Sequence, residues 1–318
     1  MIFSVVRQLI VKTMSQKSPF LQLLQESSTL RQKANRQLHH GIEDIVRSIS
    51  QRHILSQVIN QKEIRVVGLR RSGNHAIIHW IEKQETGKVR HLNNIRVNRN
   101  PYREKYEDLL RKDKTKDIEW WRQEAKGFFE KKDCLLHSYE DYSLEQITNP
   151  LFELKHDLYF GKSQDKYDVL ILRDPFNLLA SRIKKNYRDV NSKNKTDIGM
   201  WIDYAKEYLG ETNLLKNKKI CINYNQWFAD VDYRRDIASQ LNLEFSDVGI
   251  NTVSRRGDGS SFEGREYHGK AINMDVGSRW KYFADDPSYR KLFDNQELLE
   301  YSERIFGHIP GTESLRKQ

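Results

Sequence analysis

The stretch EIRVVGLRRSGNHAIIHW, residues 63–80, decides the fold. Its β-branched run from Ile64 to Leu69 predicts a buried strand. A polar turn follows from Arg70 to Asn74, and apolar residues at helical spacing begin at Ala76. Strand, tight turn and helix N-terminus together present backbone N–H groups and the positive end of a helix dipole to an anion. Arg70 and Arg71 add charge of the right sign, so the stretch predicts a phosphate cradle. Gly68 and Gly73 have the G-x-x-x-x-G spacing of a nucleotide P-loop. In loops that hold ATP or GTP the next residues are Lys and then Ser or Thr, whose hydroxyl binds Mg²⁺. Here they are Asn74 and His75, which disfavours a magnesium-dependent kinase or ATPase.

A second segment, YDVLILRDPFNLLASRIKKNY at 167–187, repeats the theme. The run Val169 to Leu172 predicts another buried strand, and it leads straight into Arg173. Asp174 and Pro175 follow, Pro suiting the first turn of a helix. Ser181 then falls about two turns into that helix, at ~3.6 residues per turn. One strand end and one helix face can thus deliver a guanidinium and a hydroxyl to a second phosphate.

Taken together, the two segments resemble the sulfotransferases that use 3′-phosphoadenosine 5′-phosphosulfate (PAPS). In that family a strand–loop–helix of the P-K-S-G-T-T type binds the 5′-phosphosulfate. A later strand ending in Arg, with Ser eight positions on, binds the 3′-phosphate. RRSGNH occupies the first motif, with Arg71 where the family has Lys, and Arg173 and Ser181 reproduce the second. The resemblance implies an α/β fold, a P-loop-type three-layer sandwich with a central parallel sheet flanked by helices. It also implies donor contacts from Arg70, Arg71, Ser72, Gly73, Asn74 and His75. KICINYNQWF, residues 219–228, looks like the family strand that brings a Tyr to the adenine, here Tyr224. VSRRGDGSSFEG, residues 253–264, resembles the loop that closes over the 3′-phosphate and brings in Arg255, Arg256 and Gly257. VGSRWKYF, residues 276–283, is similar to the family's Gly-Asp-Trp-Lys segment, though roughly twenty residues intervene here. PAPS is then the co-substrate and adenosine 3′,5′-bisphosphate (PAP) the product, with no metal.

The chemistry implied is transfer of a sulfuryl group to a hydroxyl or amine, which demands positioning and charge stabilisation. Arg71 is the expected stabiliser of the departing phosphate. Lys at that position can pass on a proton, whereas Arg stays charged with a pKa above ~12. A general base should be His or Glu. DCLLHSYEDYSL, residues 133–144, resembles the family segment that carries it, but the family's His falls on Tyr139. Tyrosine does not ionise near neutral pH without strong perturbation. Glu140, next to it, is the first choice; His137, on the same side of the strand as Tyr139 by the two-residue period, is the second.

Composition fits an anionic partner: the 318-residue chain carries a formal net charge of +10. Zinc-finger spacing, an aromatic RNP-type strand and basic heptads are all missing, which argues against nucleic acid. Cys134 and Cys221 lie in apolar, strand-like segments and make no disulfide framework. MIFSVVRQLIVKTM at the N-terminus is a poor signal peptide and too short to span a bilayer. A reducing cytoplasm is expected, with residues 1–14 as an amphipathic helix that packs on the domain or touches a membrane surface. Residues 1–62 read as a helical extension and 63–318 as the α/β domain. Within it, 98–132 is a charged helical insertion with the aromatic pairs Trp120–Trp121 and Phe128–Phe129. Those aromatics either anchor the insertion or stack on a sugar, and an acceptor that is a carbohydrate, a glycolipid or a small hydroxylated metabolite is expected. His91, Asn93 and Asn94 are polar enough to hydrogen-bond it. A P-loop kinase and a non-catalytic polyanion- or membrane-binding protein are the competing classes.

Overall fold

The computed structural model describes residues 31, 35, 38–255 and 259–315. The chain divides into two compact units, Met1–Ile54 and Leu55–Gln318. In the first, residues 38–50 are helical. The expected amphipathic segment at 1–14, and any membrane contact through it, lies outside the described residues. Among those residues no helix is long and apolar enough to cross a membrane.

The second unit is built on a five-stranded sheet in the order β2-β3-β1-β4-β5. The strands are β1 (Val58–Gly68), β2 (Val89–Leu92), β3 (Lys132–Glu140), β4 (Lys162–Leu172) and β5 (Lys218–Asn223), and every pairing is parallel. The helices that bear on the site are α1 (Asn74–Gln84), α2 (Pro101–Arg111), α3 (Ile118–Lys126), α4 (Pro175–Lys184), α5 (Asp197–Tyr208) and α6 (Tyr224–Ala229). A parallel sheet must be covered on both faces, and strand alternation sorts the side chains accordingly. Val67, Leu135, Leu170 and Leu172 pack with Phe176, Leu178 and Leu179 of α4 and Met200 and Trp201 of α5. Ile64, Val66, Leu136, Val169 and Ile171 pack on the other side with Ile77, Ile78 and Ile81 of α1 and Trp227 of α6. The three-layer α/β architecture expected from the sequence is the one that forms.

The boundary of the helical extension needs correction. It was expected to reach residue 62, but β1 begins at Val58. Asn60 and Lys62 disguise that part of the strand. Asn60 is buried and donates from Nδ2 to Phe160 O at 3.1 Å and Ser163 Oγ at 3.0 Å, so a polar residue occupies a core position with its donor satisfied.

Strand order positions the site. β1 lies between β3 and β4, with Gly68 in register with both Glu140 and Ile171. The connection after β1 runs to β2 on one flank and that after β4 to β5 on the other, which opens a crevice at the C-terminal ends of these neighbouring strands. Residues 98–132 contain the two helices α2 and α3. Trp120 and Trp121 pack edge-on to or tilted against the buried Tyr102 at 5.8 and 6.0 Å, and Phe129 joins them at 6.2 Å. They anchor the insertion.

Candidate active site

The turn after β1 is shaped by two glycines. A Cβ on Gly68 would lie 2.2 Å from Asn74 Oδ1, and one on Gly73 would lie 2.0 Å from the Tyr224 ring. Gly73 has φ 92° and Arg71, unusually for a residue with a side chain, φ 76°. These left-handed residues turn the chain back so that Ser72 N–H bonds Leu69 O, and the ladder of α1 starts with Ala76 and Ile77 bonding Gly73 O. The N–H groups of Gly73, Asn74 and His75 therefore precede the ladder at the positive end of the helix.

Above this turn is a cavity of about 420 Å³. It is walled by Arg70, Arg71, Gly73, Asn74 and His75, by Glu140 at the end of β3, by Arg173 at the end of β4 and by Tyr224 after β5. Strand ends far apart in sequence thus converge as the crevice requires. Arg173 is 2 % exposed. It donates to Arg71 O at 3.2 Å, Val276 O at 2.6 Å and Ser181 Oγ at 3.5 Å, and its Nε has no partner among the described residues. Its guanidinium lies 5.1 Å from the Tyr224 ring centre, which stacks in turn on Trp227. None of its bonds goes to a carboxylate. Burial, with the charges of Arg279 and Arg71 close by, pushes Arg173 down to about 10. Arg71 is lowered by burial and by Arg279. Ser181 is wholly buried behind Arg173, so it supports that side chain instead of walling the cavity.

Arg279 was missed in the sequence, although it lies in the quoted segment VGSRWKYF. It lines the cavity and donates from Nη2 to Ser260 Oγ at 2.9 Å and Glu263 Oε2 at 3.2 Å, and its Nε is buried without a partner among the described residues. The lid loop and the VGSRWKYF segment therefore do meet, despite the intervening residues. Arg preceding Trp was the signal available. Of the lid residues expected on the phosphate, Arg256 and Gly257 lie outside the described residues. Arg255 is exposed and lines a neighbouring cavity with His79, Glu82, Arg265 and His268, whereas Arg279 lines the cavity above the turn.

Asn93, Asn94, Glu140 and Tyr187 also line the cavity. Glu140 Oε1 accepts from Asn74 Nδ2 at 3.0 Å, and Arg70 Nε is 3.8 Å from Oε2. Arg70 also stacks on Tyr187 at 5.4 Å. His75 Nε2 is 2.9 Å from Asn93 Oδ1. His91 points elsewhere, with Nδ1 3.1 Å from Glu82. The aromatic pairs of the insertion do not wall the cavity, so they give no sugar-stacking face there.

His137 is corrected as a base candidate. It is 1 % exposed and lies three residues inside β3, whereas the cavity opens at strand ends. Its Nε2 bonds Glu63 Oε1 at 3.0 Å and its ring stacks on Phe160 at 4.7 Å. Glu63 also accepts from His156 Nε2 at 2.6 Å and from Ser163 Oγ. Burial opposes ionisation of Glu63, but the charge of His156 and both histidine bonds hold it well below the usual carboxylate range. Burial pushes His156 down, yet Glu63 and Asp157 lift it to about 9. Among the described residues Glu63, His137 and His156 are the set of metal-type donors close enough to share an ion. Their donor atoms bond one another as a core ion pair.

No protein-family model matches the sequence, and no curated protein matches it. Solved structures to which the chain is similar include two sulfotransferases. One is the sulfotransferase domain of the Synechococcus PCC 7002 olefin synthase, at 10% identity and TM-score 0.48, covering 80% of this chain and 98% of that one. The other is the mouse sulfotransferase SULT7A1 complexed with PAP, at 16% identity and TM-score 0.44, covering 79% of this chain and 88% of that one.

Proposed function

We propose that the chain is a sulfotransferase that moves a sulfuryl group from PAPS to a hydroxyl-bearing acceptor. The observation that carries the reading is Arg173, a fully buried cation without a carboxylate partner among the described residues, facing Arg71 and Arg279 across one cavity. Burying an unpaired charge is costly, and bringing two like charges toward it costs more. An anion with several negative groups offsets that cost, and a nucleotide bisphosphate has phosphates at two ends. Arg173, supported by Ser181, would hold the 3′-phosphate together with Arg279. The N–H groups at the start of α1 and the Arg71 side chain would hold the 5′-phosphosulfate, and Tyr224 would flank the adenine.

The bound donor supplies an activated sulfuryl group. Arg71 neutralises charge that builds on the leaving phosphate, as a fixed cation in a water-poor site. It supplies no proton. The end of the cavity with Asn93, Asn94 and Tyr187 receives the acceptor. Radiolabelled PAPS incubated with the protein and a fractionated cell extract tests the reading. Label should pass to an acceptor in the presence of EDTA and fail to pass with Arg71→Ala or Arg173→Ala. Turnover of ATP that EDTA abolishes, with no transfer of label, would identify a kinase instead.

A further inference from the structure

We propose that His75 is the general base of the transfer and that Asn93 holds it in that role, an assignment that rests on the sulfotransferase reading. His75 is the second residue of α1, so its backbone N–H belongs to the phosphate cradle while its side chain walls the cavity. A base must reach the acceptor hydroxyl where the sulfuryl group leaves the donor, and a residue anchored in the cradle is held there.

His75 Nε2 lies 2.9 Å from Asn93 Oδ1. With the amide oxygen accepting, the ring proton is on Nε2 and the lone pair on Nδ1. Nδ1 has no hydrogen-bond partner among the described residues. Glu140 Oε1 is 4.0 Å from Nε2 and places negative charge beside the ring when it becomes an imidazolium. One ring nitrogen oriented by a fixed acceptor, with the other open to the substrate, is the arrangement that makes histidine a base in nucleophile activation generally.

Glu140 is the competing candidate. Its Oε1 is already bonded to Asn74 Nδ2 and its Oε2 faces Arg70. Its side chain is 10% exposed against 21% for His75. Glu140 is therefore a positioning residue that acts through Asn74 and His75. In the step itself the acceptor O–H proton passes to Nδ1 as its oxygen bonds to sulfur. The bond from sulfur to the bridging oxygen breaks, and its electron pair stays on the 5′-phosphate of PAP beside Arg71. His75 then gives the proton to solvent.

The test uses the full chain with PAP as the binding probe, and with water and 2-naphthol as acceptors of label from PAPS. His75→Ala and His75→Gln should bind PAP within about threefold of wild type and lose transfer by on the order of 10²–10⁴. Added imidazole should restore the His75→Ala variant. Nitrogen NMR of labelled histidine in the PAP complex should show His75 protonated on Nε2 and bare on Nδ1, a readout that needs no turnover. Wild-type transfer rates in His75→Ala, loss of PAP affinity in proportion to activity, a Glu140→Gln defect deeper than that of His75→Ala, or a proton on Nδ1 would each overturn the assignment. Failure of the wild-type chain to bind PAP would instead refute the sulfotransferase reading beneath it.

Discussion

Arg173 donates from Nη1 to the carbonyl oxygen of Arg71, 3.2 Å away, and so fastens the end of β4 to the loop that follows β1. The turn after β1 and the end of β4, read from separate stretches of sequence, are thereby one unit. If Arg173 holds one end of the donor as proposed, the same side chain also braces the loop proposed to hold the other.

Truncating the buried cations should separate binding from folding. Hydrogen bonds to charged groups are worth about 1.5–3 kcal/mol, so Arg173→Ala should weaken PAP binding by roughly 10–100-fold. Arg279→Ala should act in the same direction. PAP should raise the melting temperature of the wild type and leave that of Arg173→Ala nearly unmoved. Equal thermal protection of both proteins would count against a phosphate role for Arg173.

Gly73→Ala should disable the cradle. Its φ of 92° disfavours any side chain, and the new methyl would overlap the Tyr224 ring at 2.0 Å. Left-handed backbone alone costs about 1–2 kcal/mol for an L-residue. PAP titration should show binding lost while the far-UV circular dichroism keeps its α/β shape. Wild-type affinity in this variant would show that the turn can open without consequence.

The Glu63–His156 pair makes stability depend on pH. His156 is raised from 6.5 to about 9, so its contribution is complete below pH 6.5 and is lost as pH rises through 9. Glu63 is held well below 4.5, so its contribution is present above that value and is lost on further acidification. Denaturant unfolding should therefore give stability that declines between pH 6.5 and 9, by up to about 1.4 kcal/mol for each step of one in pH. His156→Gln should flatten that limb. An unchanged slope would exclude the pair as its source.

Lys132 and Glu124 form a second core pair, 2.8 Å apart, with both side chains excluded from solvent. Lys132→Met leaves the Glu124 carboxylate without its ammonium partner, and breaking such a pair costs about 3–5 kcal/mol. Chemical denaturation should show a loss of that order. The double change Lys132→Met with Glu124→Leu should recover most of it.

The sequence made the central features legible because each is local. β1 with its turn and α1, and β4 with Arg173 and Pro175, are short segments whose period and punctuation carry their own meaning. Asp174 caps α4 through its bond to Asn177 N at 2.8 Å, as the Asp-Pro pair suggests. What stayed hidden depends on tertiary contact. Asn60 looks polar until Phe160 and Ser163 satisfy it. The two-residue period correctly put His137 and Tyr139 on one face of β3, but period alone does not say which face is core or how deep in the strand a residue lies. The place of Arg279 in the cavity wall depends on Ser260, which holds its guanidinium. The pairing of His75 with Asn93 likewise requires β2 to end beside the start of α1.

Calorimetric titration of the full chain with adenosine 3′,5′-bisphosphate, in buffer containing EDTA, tests the central claim most directly. One molecule should bind per chain in the micromolar range (about −8 kcal/mol), without a divalent ion, and Arg173→Ala should abolish most of the heat. Absence of binding by the folded wild-type protein would contradict the account.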